Sequence, residues 1–344
     1  MTDTSVDALG APLTRSPRGR TTRRRGIGGG RLTPLLARRV LTAIPLLLVV
    51  SSFNFLLLSL TPGDAARQIL GTNGTPEQYE ALRRQLGLDL PVYEQYWNWL
   101  TRALSGDFGS SITNGSPVVE SITSRVPVTM SLIGGSLLVS VVVGVSLGVF
   151  SAVRGGVLGR AVDALALLGW ALPVFWVGSV LVVVFAIKLE WFPALGYVPF
   201  TESTEEWARS LVLPVTALSL GSVAAVLKQT RESMLDVLGS EYIRMAAANG
   251  VSRTSLIYRH ALKNAAIPVV TVLGIQTVGL LGGAVLIENL FSVPGLGSLV
   301  VGSALAHDIP TVQAVAVVFT VVVIVVNLSV DVAYGLLNPR VSAA

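Results

Sequence analysis

Cysteine is absent, and histidine occurs only at His260 and His307. Without thiols the chain can form no disulfide and offers no thiolate nucleophile. The two histidines are far apart in sequence, and with no cysteine beside them a zinc site within this chain is not expected. Charge is scarce as well. Only 13% of residues are Asp, Glu, Lys or Arg, about half of what a soluble domain carries. No Gly-Lys pair occurs anywhere, so a Gly-x-x-x-x-Gly-Lys-Ser/Thr loop for ATP is excluded. His-Glu-x-x-His is missing too, and no apolar segment carries two carboxylates.

What is present is apolar. Hydrophobic residues make up 51% of the chain, and the mean hydropathy is +0.67. One water-facing core cannot hide that much surface, so the bilayer must serve as solvent. Six stretches approach the roughly 20 apolar residues that a span requires: about 38–60, 130–152, 162–187, 211–228, 266–288 and 312–337. The fourth is short and interrupted by Pro214, Thr216, Ser219, Gly221 and Ser222, a pattern that suits a helix packed on other helices rather than on lipid.

Basic residues orient the spans. Residues 1–39 carry nine arginines, the 153–161 loop carries Arg154 and Arg160, and the 228–264 loop carries Lys228, Arg231, Arg244, Arg253, Arg259 and Lys263. The intervening loops are acidic or lack Lys and Arg. Six spans with both termini in the cytoplasm follow. The tract 1–34 is expected to be disordered, its arginines holding the terminus at anionic lipid. An apolar run this long does not fit a signal peptide.

The external loop 61–128 predicts its own helices. Thr75-Pro-Glu-Gln78 reads as a capping box with Pro in the first turn, and that helix should stop at Gly87. A second helix should start at Pro91 and end at Ser105-Gly106. Its Tyr93, Tyr96, Trp97 and Trp99 suit either an interfacial belt or a docking surface for an external protein. Three acids sit near span ends: Asp163, Glu288 and Asp331. They read as solvated termini or interhelical hydrogen-bond partners rather than as a proton relay. Gln276 and Asn327 are the most polar residues within the spans, and bridging between helices is the commoner role for such side chains. Ser219, Ser222, Gln276 and Thr277 are candidates to line a pore.

The most informative stretch is Glu241-Tyr-Ile-Arg-Met-Ala-Ala-Ala-Asn-Gly250, running on through Arg253 to Tyr258-Arg-His-Ala-Leu-Lys-Asn264. It is basic, helix-prone up to Gly250, too polar to enter the bilayer, and set between two spans. Tyr242, Ile243, Ala246 and Ala247 form a narrow apolar face of the kind that lies in a partner's groove. Gly250 can take positive φ and turn the chain. An amphipathic helix resting on anionic lipid is the alternative reading of the same residues.

These residues resemble the inner-membrane permease subunits of ATP-binding-cassette importers in the dipeptide/oligopeptide/nickel group. The general motif there is Glu-Ala-Ala, three residues, Gly, nine residues, Ile-x-Leu-Pro. Gly250 and Ala246 match it, while Arg244, Met245 and Lys263 depart from it. The peptide subgroup instead reads Tyr-x-Arg-x-Ala-x-x-x-Gly and then Arg-His-Ala-Leu-x-Asn, which Tyr242, Arg244, Ala246, Gly250, Arg259, His260, Ala261, Leu262 and Asn264 fit. Thr61-Pro-Gly-Asp64, Leu86-Gly-Leu-Asp89, Gly106-Asp-Phe-Gly-Ser-Ser111, Glu288-x-x-Phe291-x-x-Pro294-Gly295-x-Gly297, and Asp331 with Pro339 and Arg340 look like further family signatures.

The resemblance covers about 35–341. It implies an all-α type I importer permease of six transmembrane helices, the first-type permease with a long helical external loop. The loop 229–265 would hold a cytoplasmic coupling helix docked on an ATPase, with Glu241, Tyr242, Arg244, Ala246, Ala247, Gly250, Arg253, Arg259, His260 and Leu262 at the contact. Implied partners are a second homologous permease, two ATPase subunits that bind ATP and Mg, an extracytoplasmic solute-binding protein, the lipid bilayer and a peptide-like solute, with no nucleic acid and no cofactor in this chain. The expected location is the bacterial plasma membrane. A stand-alone secondary carrier or channel, or a membrane sensor or scaffold, are the competing functions.

Overall fold

The computed structural model describes residues 32–337 except 62, 64, 72 and 73. Most of the expected disordered tail 1–34 lies outside the described residues, as do Pro62, Asp64, Pro339 and Arg340; residues from Leu32 onward already belong to the first helix.

The order is α1 (Leu32–Leu60), α2 (Ala65–Leu70), α3 (Pro76–Gln85), α4 (Val92–Leu104), α5 (Val118–Val139), α6 (Val145–Arg154), α7 (Gly156–Ala171), α8 (Val174–Leu181), α9 (Thr204–Leu238), α10 (Glu241–Ala248), α11 (Arg253–Ser255), α12 (Leu262–Leu290), α13 (Leu296–Leu305) and α14 (Ile309–Leu337). π-helical turns at Ser140–Gly144 and Leu256–Ala261 join α5 to α6 and α11 to α12, and α8 continues as a π-helix over Val182–Lys188. Five helices are long and apolar enough to cross a membrane: Leu41–Leu60, Val118–Arg154, Thr204–Leu238, Arg253–Leu290 and Ile309–Gly335.

The third crossing differs from expectation. The stretch 162–187 is not one helix but two, α7 and α8 with its π extension, bent by 98°. Pro173 lacks an N–H and pushes Leu172 into the extended region at φ −79°, ψ 131°. The second span also starts earlier than the expected loop boundary at 128. α5 begins at Val118 and carries Pro127 inside it.

The fourth span, short and interrupted by small and hydroxyl residues in sequence, is the centre of the molecule. Of its most apolar window 67% is buried, against 11% for α1. Small side chains allow this. A Cβ on Gly144 would stand 2.9 Å from Val226, and one on Gly148 would stand 2.6 Å from Thr230, so α5–α6 can press closely on α9. Ser140 and Ser222, both buried, share a hydrogen bond of 2.6 Å across the same contact. The run Gly144-Val-Ser-Leu-Gly148 has the letters of a hydrolase nucleophile motif, yet it lies in continuous helix and lacks the sharp strand-to-helix turn that exposes such a serine.

The external helices form as their caps dictate. Thr75 and Gln78 make the reciprocal capping box, and Gly87 takes φ +67° beyond the end of α3. The aromatic cluster on α4 splits. Tyr96 bonds Ser51 of α1 at 2.9 Å and meets Phe55 edge-on, and Trp99 is buried beside it. Tyr93 and Trp97 remain exposed. Asp308 then fastens the 106–117 segment: it accepts from the Ser111 hydroxyl at 2.5 Å, the Ile112 N–H at 3.2 Å and the Thr311 hydroxyl at 2.8 Å.

Candidate functional site

α10 hangs between the ends of α9 and α12. Ser240 takes an extended conformation before it and donates its hydroxyl to Val237 O at 2.6 Å rather than capping α10. The helix ends in a Schellman turn: Val251 N–H bonds Ala246 O at 3.2 Å and Gly250 N–H bonds Ala247 O at 3.0 Å. Gly250 has φ +83°, the conformation expected from sequence and one that a Cβ disfavours. Ser252 then restarts the chain as a helix, accepting from Ser255 N–H at 3.4 Å.

The two halves of the sequence motif hold each other. The Tyr242 hydroxyl and His260 Nδ1 share a hydrogen bond of 2.5 Å across 18 positions of the chain. Arg244 reaches back to Gly239 O at 2.9 Å, and Asn264 donates to His260 O at 2.9 Å. Ala261 and Ala265 are buried in a cluster with Val149, Ala152 and Met234, so the loop is seated on α6 and α9.

The expected apolar docking face is corrected in one respect. Ile243 is only 6% exposed and turns into the subunit, with Ala246 half-buried one turn later. An eight-residue helix needs an anchor, and its one large aliphatic residue provides it. Tyr242 and Ala247 are exposed on either side of the buried Ile243, and Met245, 67% exposed, points away from it. Glu241, Arg244, Arg253 and Arg259 are exposed around it, while His260 and Leu262 are half-buried. Tyr258, 61% exposed, adds an aromatic side chain. The three-residue spacing of Met245 from Tyr242 was the available signal for Met245.

The candidate pore residues separate. Ser219, Ser222 and Thr277 are buried within the subunit, and Thr277 bonds Leu273 O at 2.7 Å. Gln276 is half-buried and Asn327 exposed. The three acids near span ends all serve contacts between helices. Asp163 pairs with Arg231 at 2.9 Å and Asp331 with Arg39 at 2.6 Å. Glu288 is fully buried rather than solvated; it accepts from the Thr129 hydroxyl at 2.6 Å and Ser298 N–H at 2.9 Å. Gln313, not singled out from sequence, is a further buried polar link; it donates to Ser51 O at 2.7 Å and accepts from Asn54 at 2.6 Å.

Comparison with known proteins places this architecture. Residues 144–343 match the family model described as binding-protein-dependent transport system inner membrane component, and residues 32–133 match the model for that component's N-terminal region. A probable peptide ABC transporter permease of Sinorhizobium fredii is 40% identical over 307 residues, covering 89% of this chain and 98% of that protein. The glutathione transport system permease GsiC of Escherichia coli strain K12 is 38% identical over 305 residues, covering 88% and 97%. Among solved structures, an inward-facing MetNI methionine ABC transporter chain superposes with a TM-score of 0.51 at 16% identity, covering 63% of this chain and 96% of that one. Multiple apolar helices, a seated motif loop and two adjoining family matches agree: the chain belongs to the binding-protein-dependent transport system inner membrane component family and is a permease subunit of an ABC importer.

Proposed function

We propose that this subunit carries peptides or closely related solutes inward, and that α10 is the element through which ATP hydrolysis on partner subunits moves it. The peptide assignment draws on the names of the relatives and on the peptide-type motif around Tyr242 and His260. The observation that carries the coupling role is the build of the loop. Its interior is fixed by the Tyr242–His260 bond and the buried Ile243, while Tyr242, Met245 and Ala247 face outward with charges around them. A short helix held from beneath, with exposed apolar side chains among charges, fits a groove on a soluble partner.

In this reading two ATPases bind ATP and Mg, a second permease completes the pore, and an external binding protein delivers the solute. Both termini lie in the cytoplasm, as the basic loops direct. Gln276 is the pore-lining candidate that the subunit's own packing leaves half-open. The residues assigned to the ATPase contact are Glu241, Tyr242, Arg244, Ala247, Gly250, Arg253 and Arg259, with Ala246, His260 and Leu262 supporting them from beneath.

Gly250→Asp tests the assignment. No heavy atom lies within 4 Å of where its Cβ would stand, so the fold of the subunit has room for the side chain. The backbone strain is about 1 kcal/mol, and the carboxylate projects from the docking loop. The variant should insert at parental levels but lose ATPase pull-down and at least tenfold of solute uptake, while Ser240→Ala retains both. Parental assembly and uptake in Gly250→Asp would remove α10 from the coupling role.

A further inference from the structure

The broken third crossing has a chemical consequence of its own. α7 stops at Ala171 and α8 starts at Val174, turned by 98°. Pro173 has no N–H to offer the Gly169 carbonyl. Among the described residues no backbone hydrogen bond crosses the break, and no side chain caps the start of α8. The carbonyls of Gly169, Trp170 and Ala171 and the N–H groups of Val174, Phe175 and Trp176 therefore have no protein partner in this subunit.

The break lies deep. A Cβ on Gly169 would stand 3.3 Å from Leu220, and one on Gly221 would stand 4.0 Å from Trp170. Leu220 is within the apolar run of α9 bounded by Arg209 and Lys228. Those charges are eleven and eight residues away, roughly 16 and 12 Å along a helix. The unbonded backbone is thus near the middle of the bilayer.

The break also lies on the outside of the subunit. Trp170 is 68% exposed, Phe175 54% and Trp176 50%, and Ala171, Leu172 and Pro173 are exposed between them. Hydrocarbon has no donors or acceptors, and an unpaired backbone group facing it costs several kcal/mol. Broken backbone at this depth persists where it lines water or meets a polar ligand.

We propose that the Gly169–Trp176 break lines the water-filled passage of the assembled importer and binds the backbone of an extended peptide in transit. The free carbonyls of Gly169, Trp170 and Ala171 accept peptide N–H groups, the chemistry one strand offers another. Trp170 and Trp176 flank the passing side chains with broad aromatic faces that tolerate many sequences. This assignment rests on the peptide-importer reading above.

This chain has no cysteine, so an introduced thiol is the only one in the subunit, and its labelling is read on the separated subunit band. Ala171→Cys and Leu172→Cys are introduced singly into the complete complex with its ATPases and binding protein. Val49→Cys on α1, a mid-span position 64% exposed and set against little protein, serves as the lipid-facing reference. Copurification of the ATPases and uptake of trialanine by the cysteine-free parent check the peptide-importer reading separately; their failure would overturn that reading whatever the labelling shows. Modification by a small charged methanethiosulfonate is then timed in nucleotide-free and ATP-trapped complexes. The expected result is labelling of one or both break positions at least tenfold faster than Val49→Cys in one of the two states, slowed by saturating trialanine. Rates no faster than Val49→Cys in both states would mean the break is covered by lipid or by the second permease, and the proposal fails. Fast labelling that trialanine leaves unchanged would overturn the peptide site.

Discussion

Glu288 shows how one side chain can set a local sequence. Its carboxylate ties α5, α12 and α13 together through Thr129 and Ser298, and Thr129 in turn accepts Leu296 N–H at 2.8 Å. A Cβ on Gly295 would stand 2.2 Å from that carboxylate, and one on Gly297 would stand 2.5 Å from the backbone of Val285. The spacing Glu-x-x-Phe-x-x-Pro-Gly-x-Gly is therefore the imprint of a buried acid with two glycines folded over it. Glu288→Ala leaves at least two donors unpaired, each worth about 1–3 kcal/mol when buried. The detergent-solubilised complex should unfold several degrees lower in a fluorescence-detected melt. Glu288→Gln, which keeps the shape and one acceptor, should fall between that variant and the parent. An unchanged melting temperature in Glu288→Ala would contradict the clasp.

At the scale of elements, the loop from α10 to α12 is a module with an inner and an outer side. Its inner side is Ile243, Ala261 and Ala265, and the Tyr242–His260 bond ties its two ends together at the surface. Tyr242→Phe keeps the ring on the outward face and removes only the hydroxyl. The net loss is about 1 kcal/mol, which corresponds to roughly fivefold in an equilibrium. Retention of the ATPases in a titrated pull-down should weaken by about that factor while membrane levels of the subunit stay unchanged. Met245→Glu, which alters only the exposed face, should weaken retention further without lowering the melting temperature. Full retention in both variants would place the contact elsewhere.

For the whole molecule, the orientation proposed from the basic loops is one that labelling can read. Ser203 and Ser252 each cap a helix through the side-chain oxygen, so the exposed neighbours Thr201 and Thr254 are better places for a probe. Thr201→Cys should react with an impermeant thiol reagent in intact cells, and Thr254→Cys should react only after the membrane is opened. The reverse pattern would invert the subunit, and reaction at both in intact cells would change the number of crossings. The purified subunit should hydrolyse no ATP, and the assembled complex should. Hydrolysis by the subunit alone, free of contaminating ATPase, would contradict the division of labour.

Much of this was legible in residues whose meaning is local. Run length alone pointed to six apolar stretches that the chain builds as helix, though not to the break at Pro173 or to where the helices end. Thr75 and Gln78 wrote the capping box into four positions, and Gly250 announced its positive φ because helix end and turn follow from the chain's own backbone. The motif around Tyr242 and His260 marked the loop, though not that its two ends bond each other. What the sequence left open depended on neighbours distant along the chain. Ile243 looked as fit for a partner's groove as Ala247 until it was buried where α10 packs on α9 and the Leu256–Ala261 turn. Glu288 read equally as a solvated terminus or an interhelical partner until α13 folded over it and decided for the second, and the short, polar-interrupted fourth span became the core because α5, α6, α7, α8 and α12 converge on it. Pro173 was visible in sequence, yet a proline within an apolar run is compatible with either a kink or a break; Pro127 and Pro214 sit inside continuous helices. Local propensity and run length fix which residues form helices, whereas burial is settled by which helices meet, and that is decided only when the whole chain packs.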